Sequence, residues 1–298
     1  MKLCVPAILL VLCLTTSSRA DHLLGYSFNE TGTSAAADGS AAAGGSPQLN
    51  FTGNGGAAAD LHGAPGSGVS GQSGDRAFDN TASSGIIGAA HGQNAADFDA
   101  IDGLSAFTLS GWFRLPSDAT ESIGRQAALI ENGTISVLDD PGGFRLRGGA
   151  TANSGTLELT VNRDERIESS AAYTAVGEWV NFAVSYDGTA TTDNVKFYSG
   201  STTSPLKLVD TLTLNAGPVL GENIPLTLGV TQTSGLTLNP FNGLLDAIRI
   251  YGQVQPLEAL ERTRRLDIGQ VPEPSSLALA LLAAAGATVF VARRRKSA

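Results

Sequence analysis

The 298-residue sequence predicts an all-β fold, an antiparallel β-sandwich or jelly roll, on three observations. Short segments with period-two alternation recur from residue 76 onward. Gly, Asn, Asp or Pro separate them, the punctuation expected of strands joined by turns. Only one convincing helical segment precedes the C-terminal tail, too little helix for an α/β layer.

In chain order, Met1 to Ala20 reads as a secretory signal peptide: a cation at Lys2, an apolar stretch from Leu3 to Leu14, then "SRA" with cleavage after Ala20. A lipoprotein signal at "LVLC" is the weaker alternative, because Leu12 before Cys13 is larger than the small residue that lipidation needs. Both cysteines, Cys4 and Cys13, lie in this segment, so the expected domain from 21 to 268 has no thiol and must be held by its own core. Residues 31 to 74 are rich in Gly, Ala, Ser, Asn and Asp, with Leu49, Phe51, Leu61 and Val69 as sizeable anchors. They read as long loops around one or two short strands.

The strand segments that follow are "RAFDN", "FTLSGWFRL", "AALIENG", "FRLRGG", "LELTV", "WVNFAVSYDGT", "VKFYSG", "LTLGV" and "LLDAIRIYG". Alternation assigns their faces. Phe107, Leu109, Gly111, Phe113 and Leu115 share one side of their strand, and Thr108, Ser110, Trp112 and Arg114 the other. Val180, Phe182, Val184 and Tyr186 form a second apolar row, and unbroken alternation puts Leu244, Asp246, Ile248 and Ile250 on one face. In "YSFNE", Tyr26, Phe28 and Glu30 share a face by the same rule. "RDERIE" reads as a solvated charged turn. "VQPLEALERTRRL" is the expected helix, with Pro256 in an early turn and Leu257, Leu260 and Arg264 at helical spacing, closing the domain from outside.

The charge balance narrows the partners. The formal charge is −9, but six of the 19 cations (Lys2, Arg19, Arg293, Arg294, Arg295 and Lys296) and one of the 28 acidic residues (Glu273) lie in the terminal segments; setting them aside leaves 13 basic residues against 27 acidic, a balance of −14. No nucleic acid is expected as a partner, since such binding depends on neutralising phosphates. Catalytic signatures are missing from the sequence. His22, His62 and His91 stand far apart with no His-x-x-x-His spacing, and each reads as a loop residue. No Gly-x-Ser-x-Gly elbow is present, nor a Glu-x-Asp-x-x-Glu strand of the kind that hydrolases of this architecture use. Trp112 and Trp179 fall opposite the apolar rows, where they either stack on sugar rings as a ligand-binding platform or pack in a second layer; packing is the favoured alternative.

Two families are resembled. "GEWVNFAVSYDGT", "VKFYSG", "LTLGV" and "FNGLLDAIRIYGQVQPLEALERT" resemble the LamG-like jelly-roll family of concanavalin A-like sandwiches, with Trp179, Tyr186, Asp187, Gly188, Phe241, Gly243, Asp246, Arg249 and Tyr251 matching residue by residue. "LLGYSFNETGTSAAADGS" resembles that family's first strand and loop, so the likeness spans about residues 22 to 266. Ala247 and Val180-Asn181 depart from an acidic residue and a His-His pair common there. In such domains the first and last strands can lie close together, which implies that Glu30 and Asp246 meet and, with Asn29 or Asp38 and loop carbonyls, bind Ca²⁺. The favoured alternative is that Asp246 accepts loop amides or pairs with Arg249 or another cation.

The tail from 269 to 298 resembles a PEP-CTERM sorting signal: Pro272, Glu273 and Pro274, an apolar transmembrane segment at about 277 to 292, then Arg293, Arg294, Arg295 and Lys296. This resemblance implies inner-membrane anchoring followed by processing by an exosortase-type enzyme. Taken together, the sequence reads as an exported, non-enzymatic protein of the bacterial envelope or extracellular polysaccharide matrix that binds carbohydrate weakly. A surface scaffold for envelope proteins is the alternative, and a glycoside hydrolase or lyase the remote one.

Overall fold

The structure, a computed structural model, describes residues 22–44, 47–53, 57–81, 88–117, 128–132, 142–149, 155–162, 165–173, 176–221, 224–233, 236–238 and 240–270. The expected signal peptide at 1–20, the Pro272-Glu273-Pro274 motif, the apolar segment and the terminal cations lie outside the described residues. No helix of the described residues is long and apolar enough to cross a membrane.

In chain order the strands are β1 (Leu24–Tyr26), β2 (Ser34–Ala35), β3 (Leu49–Thr52), β4 (Phe78–Asp79), β5 (Ala89–Gly92), β6 (Ala106–Arg114), β7 (Ala128–Asn132), β8 (Phe144–Gly148) and β9 (Leu157–Val161). They continue with β10 (Glu165–Glu168), β11 (Trp179–Asp187), β12 (Val195–Ser201), β13 (Lys207–Leu212), β14 (Thr227–Leu228), β15 (Thr231–Thr233), β16 (Leu236–Leu238) and β17 (Leu244–Tyr251), before helix α1 (Leu257–Asp267). Two antiparallel sheets make the sandwich. The seven-stranded sheet runs β1-β17-β6-β11-β12-β13 with β4 also on β17, and the eight-stranded sheet runs β10-β9-β8-β7-β14-β5-β3-β2. First and last strands are neighbours, Leu24 standing opposite Ile250.

The apolar rows read from the sequence face each other between the sheets. Phe107, Leu109 and Phe113 of β6 join Val180, Phe182, Val184 and Tyr186 of β11, and they meet Ile130, Leu146, Leu159, Leu228 and Phe51 from the other sheet. Each such side chain contributes about 1.5–3 kcal/mol when fully buried. A slip of one residue would turn a whole row to the outside, so the pairing of Phe113 with Val180 and Phe107 with Tyr186 is firmly set. Gly111 interrupts the β6 row for a steric reason: a Cβ there would lie 2.5 Å from Ile248 Cδ1 and 3.2 Å from Phe182 Cζ.

Three readings of the sequence are corrected. In β17 the register shifts between Asp246 and Arg249, and Ala247 sits at a φ of 48°. This bulge changes the parity of the strand. Leu245, Ile248 and Ile250 face the core, while Leu244 and Ala247 join a second cluster outside the sheet with Trp112, and Asp246 stands opposite Trp112. Asp246 is therefore not on the core row. At the N terminus β1 ends at Tyr26 and Phe28 turns at a φ of 54°, so Glu30 follows a turn and the alternation of "YSFNE" does not place it. Within "RDERIE", Glu165–Glu168 forms edge strand β10 against β9.

Helix α1 lies where the pattern put it. Ala259 and Leu260 donate to the Pro256 carbonyl at its start, and Leu260 packs with Ala183, Tyr198 and Leu206 on the outer face of the seven-stranded sheet. Arg264, 5 % exposed, donates to the Ser201 carbonyl and to Glu261. Burial opposes the Glu261 carboxylate, but hydrogen bonds from Arg264, Arg265 and the Leu206 amide outweigh it and hold its pKa at about 2.

The bulge makes a directional test. Left-handed backbone costs an L-residue roughly 1–2 kcal/mol and a β-branched residue more. Ala247→Val is expected to lower unfolding free energy by about 1–3 kcal/mol, whereas Ala247→Gly stays within about 1 kcal/mol of the native chain, as measured by denaturant titration.

Candidate functional site: the outer faces of the two sheets

The outer face of the seven-stranded sheet is closed. Trp112 is fully buried and Trp179 is 7 % exposed, in one cluster with Val69, Ala77, Leu244 and Ala247. Trp112 Nε1 donates to Asp267 at 2.9 Å, and Arg249 reaches both oxygens of the same carboxylate at 2.7 and 3.0 Å. The Arg114 guanidinium stands 5.2 Å from the centre of the Trp179 ring. Neither ring offers a free face for a sugar; the packing alternative describes them.

The four candidate metal ligands go to separate partners. Asp246, 1 % exposed, accepts from the Val69 amide at 2.7 Å and the Ala247 amide at 2.6 Å, the loop-amide alternative. Asn29 Oδ1 accepts from the Arg76 amide, and Asp38 contacts His22 Nε2 at 2.7 Å. Glu30 accepts from the Ala36 amide through Oε1 and turns Oε2 toward His62, 3.9 Å away. Although β1 and β17 pair, the structure does not gather these residues with Asp246. Among the described residues no group of three or more His, Cys, Asp or Glu side chains is placed to hold a metal ion.

The eight-stranded sheet carries a different outer face. Register places Ser34, Asn50, His91, Thr227, Glu131, Arg145, Thr160 and Arg166 opposite one another in a continuous row across all eight strands. Beside it runs a shorter row of Arg147, Glu158 and Glu168. This is alternation at work: core-facing Leu146 sits between Arg145 and Arg147, and core-facing Leu159 between Glu158 and Thr160. The centre of the row is buried, with Glu131 at 2 %, Arg145 at 7 % and Thr160 at 4 % exposure, while Asn50 and His91 are half-buried and Arg166 is exposed.

The two arginines differ in what they touch. Arg147 is paired with Glu158, its Nε donating at 2.7 Å. Arg145 donates from Nη2 to Thr160 at 3.4 Å, but its Nε and Nη1 are buried without a hydrogen-bond partner. Burial, seconded by the Arg147 charge, lowers its pKa to about 10 against the opposing pull of Glu131 and Glu158. A buried guanidinium with spare donors is costly unless something accepts from it. Its fork suits the carboxylates of a ligand and equally the paired hydroxyls of a sugar.

Sequence reasoning passed over Arg145, Arg147, Glu158 and Thr160, though "FRLRG" and "LELTV" signal them: polar residues alternate with leucines in two consecutive strands, with opposite charges available to pair. It also placed every histidine in a loop, whereas His91 lies in β5.

A family model described as the concanavalin A-like lectin/glucanases superfamily matches residues 88–259, more than half of the chain. A second model, the PEP-CTERM protein-sorting motif, matches residues 270–296. A search of curated proteins finds no match. Among solved structures, domain 4 of AbnA, a GH43 extracellular arabinanase from Geobacillus stearothermophilus in complex with arabinotriose, aligns with a TM-score of 0.55 at 17% identity, covering 83% of this chain and 100% of that one. The binding domain of Paraclostridial Mosquitocidal Protein 1 aligns with a TM-score of 0.50 at 13% identity, over 83% of this chain and 52% of that one. At these identities the likeness shows the fold, two antiparallel sheets in a sandwich.

Asp246 yields a pH test. Burial holds its pKa well above the ordinary 3.8; the Val69 and Ala247 amides oppose this and the charges of Asp75 and Asp267 add to it. The fold thus favours the protonated acid, so this group's stabilising contribution is complete below 3.8 and is lost as pH rises toward the folded-state value. In Asp246→Asn, unfolding free energy measured from pH 4 upward is expected to lose that decline, and the chain to be about 1–3 kcal/mol less stable at pH 4 because one of the two amides faces an NH₂ group.

Proposed function

Because the chain belongs to the concanavalin A-like lectin/glucanases superfamily and carries a PEP-CTERM sorting motif, we propose that it is an exported, non-enzymatic glycan-binding protein of the cell envelope or extracellular polysaccharide matrix. The observation that carries the reading is the polar row across the eight-stranded sheet, with the spare donors of buried Arg145 at its centre. Donors and acceptors side by side on neighbouring strands, ~4.8 Å apart, suit the hydroxyl-rich edge of a polysaccharide chain. The AbnA domain supports it by analogy of fold, being a sandwich solved with arabinotriose.

A binding role suits the carboxylates of this face better than hydrolysis. Glu158 is tied to Arg147 and Glu131 stands in register with Arg145, so neither pair resembles an acid and a base flanking a bond. The sorting tail serves this role by holding the exported chain at the inner membrane through its apolar segment until an exosortase-type enzyme processes it near Pro272-Glu273-Pro274, delivering the sandwich to the surface or matrix.

The test is binding of the purified full chain to extracellular polysaccharide of the producing cell, by sedimentation with the insoluble polymer. Arg145→Lys keeps the charge but loses the fork, and is expected to weaken binding about 10–100-fold, the equivalent of one or two charge-assisted hydrogen bonds. His91→Ala is expected to weaken it less, and Trp112→Phe to leave it unchanged wherever the variant remains folded. No binding by the native chain, combined with capture of a single envelope protein insensitive to glycan competitors, would replace this reading with a protein scaffold.

A further inference from the structure

A second site stands apart from the sheet faces, where Glu30, Asp60 and His62 meet. The His62 side chain is completely buried, with the Phe51 ring 4.8 Å from its own. Its Nδ1 lies 2.9 Å from Asp60 Oδ1 and 3.2 Å from the Gly32 carbonyl oxygen. Both partners can only accept, so Nδ1 carries the proton. In the neutral ring the lone pair then resides on Nε2.

That Nε2 has no hydrogen-bond partner, and neither has Glu30 Oε2, which it faces across 3.9 Å. Two acceptors directed at each other in a buried space repel unless a positive centre sits between them. Asp60 meanwhile accepts from the His62 amide and ring and from the Gly32 amide, which fixes its carboxylate against the imidazole. A carboxylate on one ring nitrogen, orienting the other toward a cation, is the outer-sphere arrangement that histidine ligands of metals use.

We propose that His62 Nε2 and Glu30 Oε2 bind a divalent transition-metal ion of the zinc class, with Asp60 positioning the imidazole. Metal–nitrogen and metal–oxygen bonds are each roughly 2.0–2.2 Å, and tetrahedral geometry would set the two atoms about 3.4 Å apart, so the 3.9 Å gap closes by about 0.5 Å around the ion. An imidazole in the donor set selects zinc-like ions over the oxygen-seeking Ca²⁺ and Mg²⁺. With only two protein ligands, water completes the coordination. The Glu30 side chain is 40 % exposed and provides the way in. The site ties the turn after Phe28 to the segment bearing His62, and so links the first strand's exit to the loops leading toward β4. It does not depend on the glycan reading.

The experiment is competition for Zn²⁺ between a chromophoric chelator and the full chain carrying Cys4→Ser and Cys13→Ser, so that no thiol contributes. One equivalent of Zn²⁺ is expected to bind, with no competition from millimolar Ca²⁺. Glu30→Gln and His62→Gln should each abolish it, Asp60→Asn should weaken it about 10–100-fold, and His22→Gln should leave it intact. Because His62 is buried and its replacement can unfold the chain, Glu30→Gln with its partly exposed side chain carries the decision. Absence of Zn²⁺ binding, or binding unchanged in Glu30→Gln, overturns the proposal. So does an imidazolium ¹⁵N signal from His62 at pH 7 that Zn²⁺ leaves unaltered, which would mean that a proton fills the gap.

Discussion

The carboxylate of Asp267 is the fixed point on which the division between the two faces depends. It lies in the last turn of α1, 5 % exposed, and takes the Trp112 indole proton together with both arms of Arg249. Burying an ion pair is expensive, and removing one partner from it costs about 3–5 kcal/mol. The geometry compensates: a bidentate contact, a third hydrogen bond, and apolar cover from Trp112, Trp179 and Val69. At the other flank of the helix Leu260 and Arg264 hold it against Ala183, Tyr198 and the Ser201 carbonyl. One sheet face is consumed by this anchoring, and Arg249, within the Phe-x-Gly strand that resembled the LamG-like closing motif, has a structural task.

The other sheet carries a polar row on its outer face, buried at its centre and open toward Asn50, His91 and Arg166. Its two faces are written by the same strands, leucine inward and arginine, glutamate or threonine outward, so the force that fixes the core also fixes the polar row. Within that row the Arg147–Glu158 pair satisfies itself while Arg145 does not. The contrast separates a pair satisfied within the sheet from a buried guanidinium that keeps two donors without a hydrogen-bond partner.

Much of this was legible in the sequence wherever alternation runs unbroken. The Phe107 and Val180 rows and the closing helix follow from periodicity, because burial of each large side chain outweighs local preferences. β17 escaped the same logic because a single residue, Ala247, adopts a left-handed backbone that alanine does not advertise, and every face assignment before it is reversed relative to those after it. Trp112 and Trp179 were placed correctly on the face opposite the core, but no pattern in their own strands says that a helix and the Val69 loop will cover them. Glu30 was singled out while its counterpart was misassigned: Asp246 is occupied by two amides, and the imidazole that Glu30 faces comes from a glycine-rich loop with no periodicity to read.

The central claim is that ligand recognition belongs to the eight-stranded sheet and not to the helix-covered one. Hydrogen–deuterium exchange of the full chain, with and without the cell's own polysaccharide, addresses it directly. The account predicts that polysaccharide slows exchange in β5, β7, β8 and β9 and leaves α1 and β11 unchanged. Protection confined to α1, β6 and β11, with the eight-stranded sheet unaffected, would contradict it.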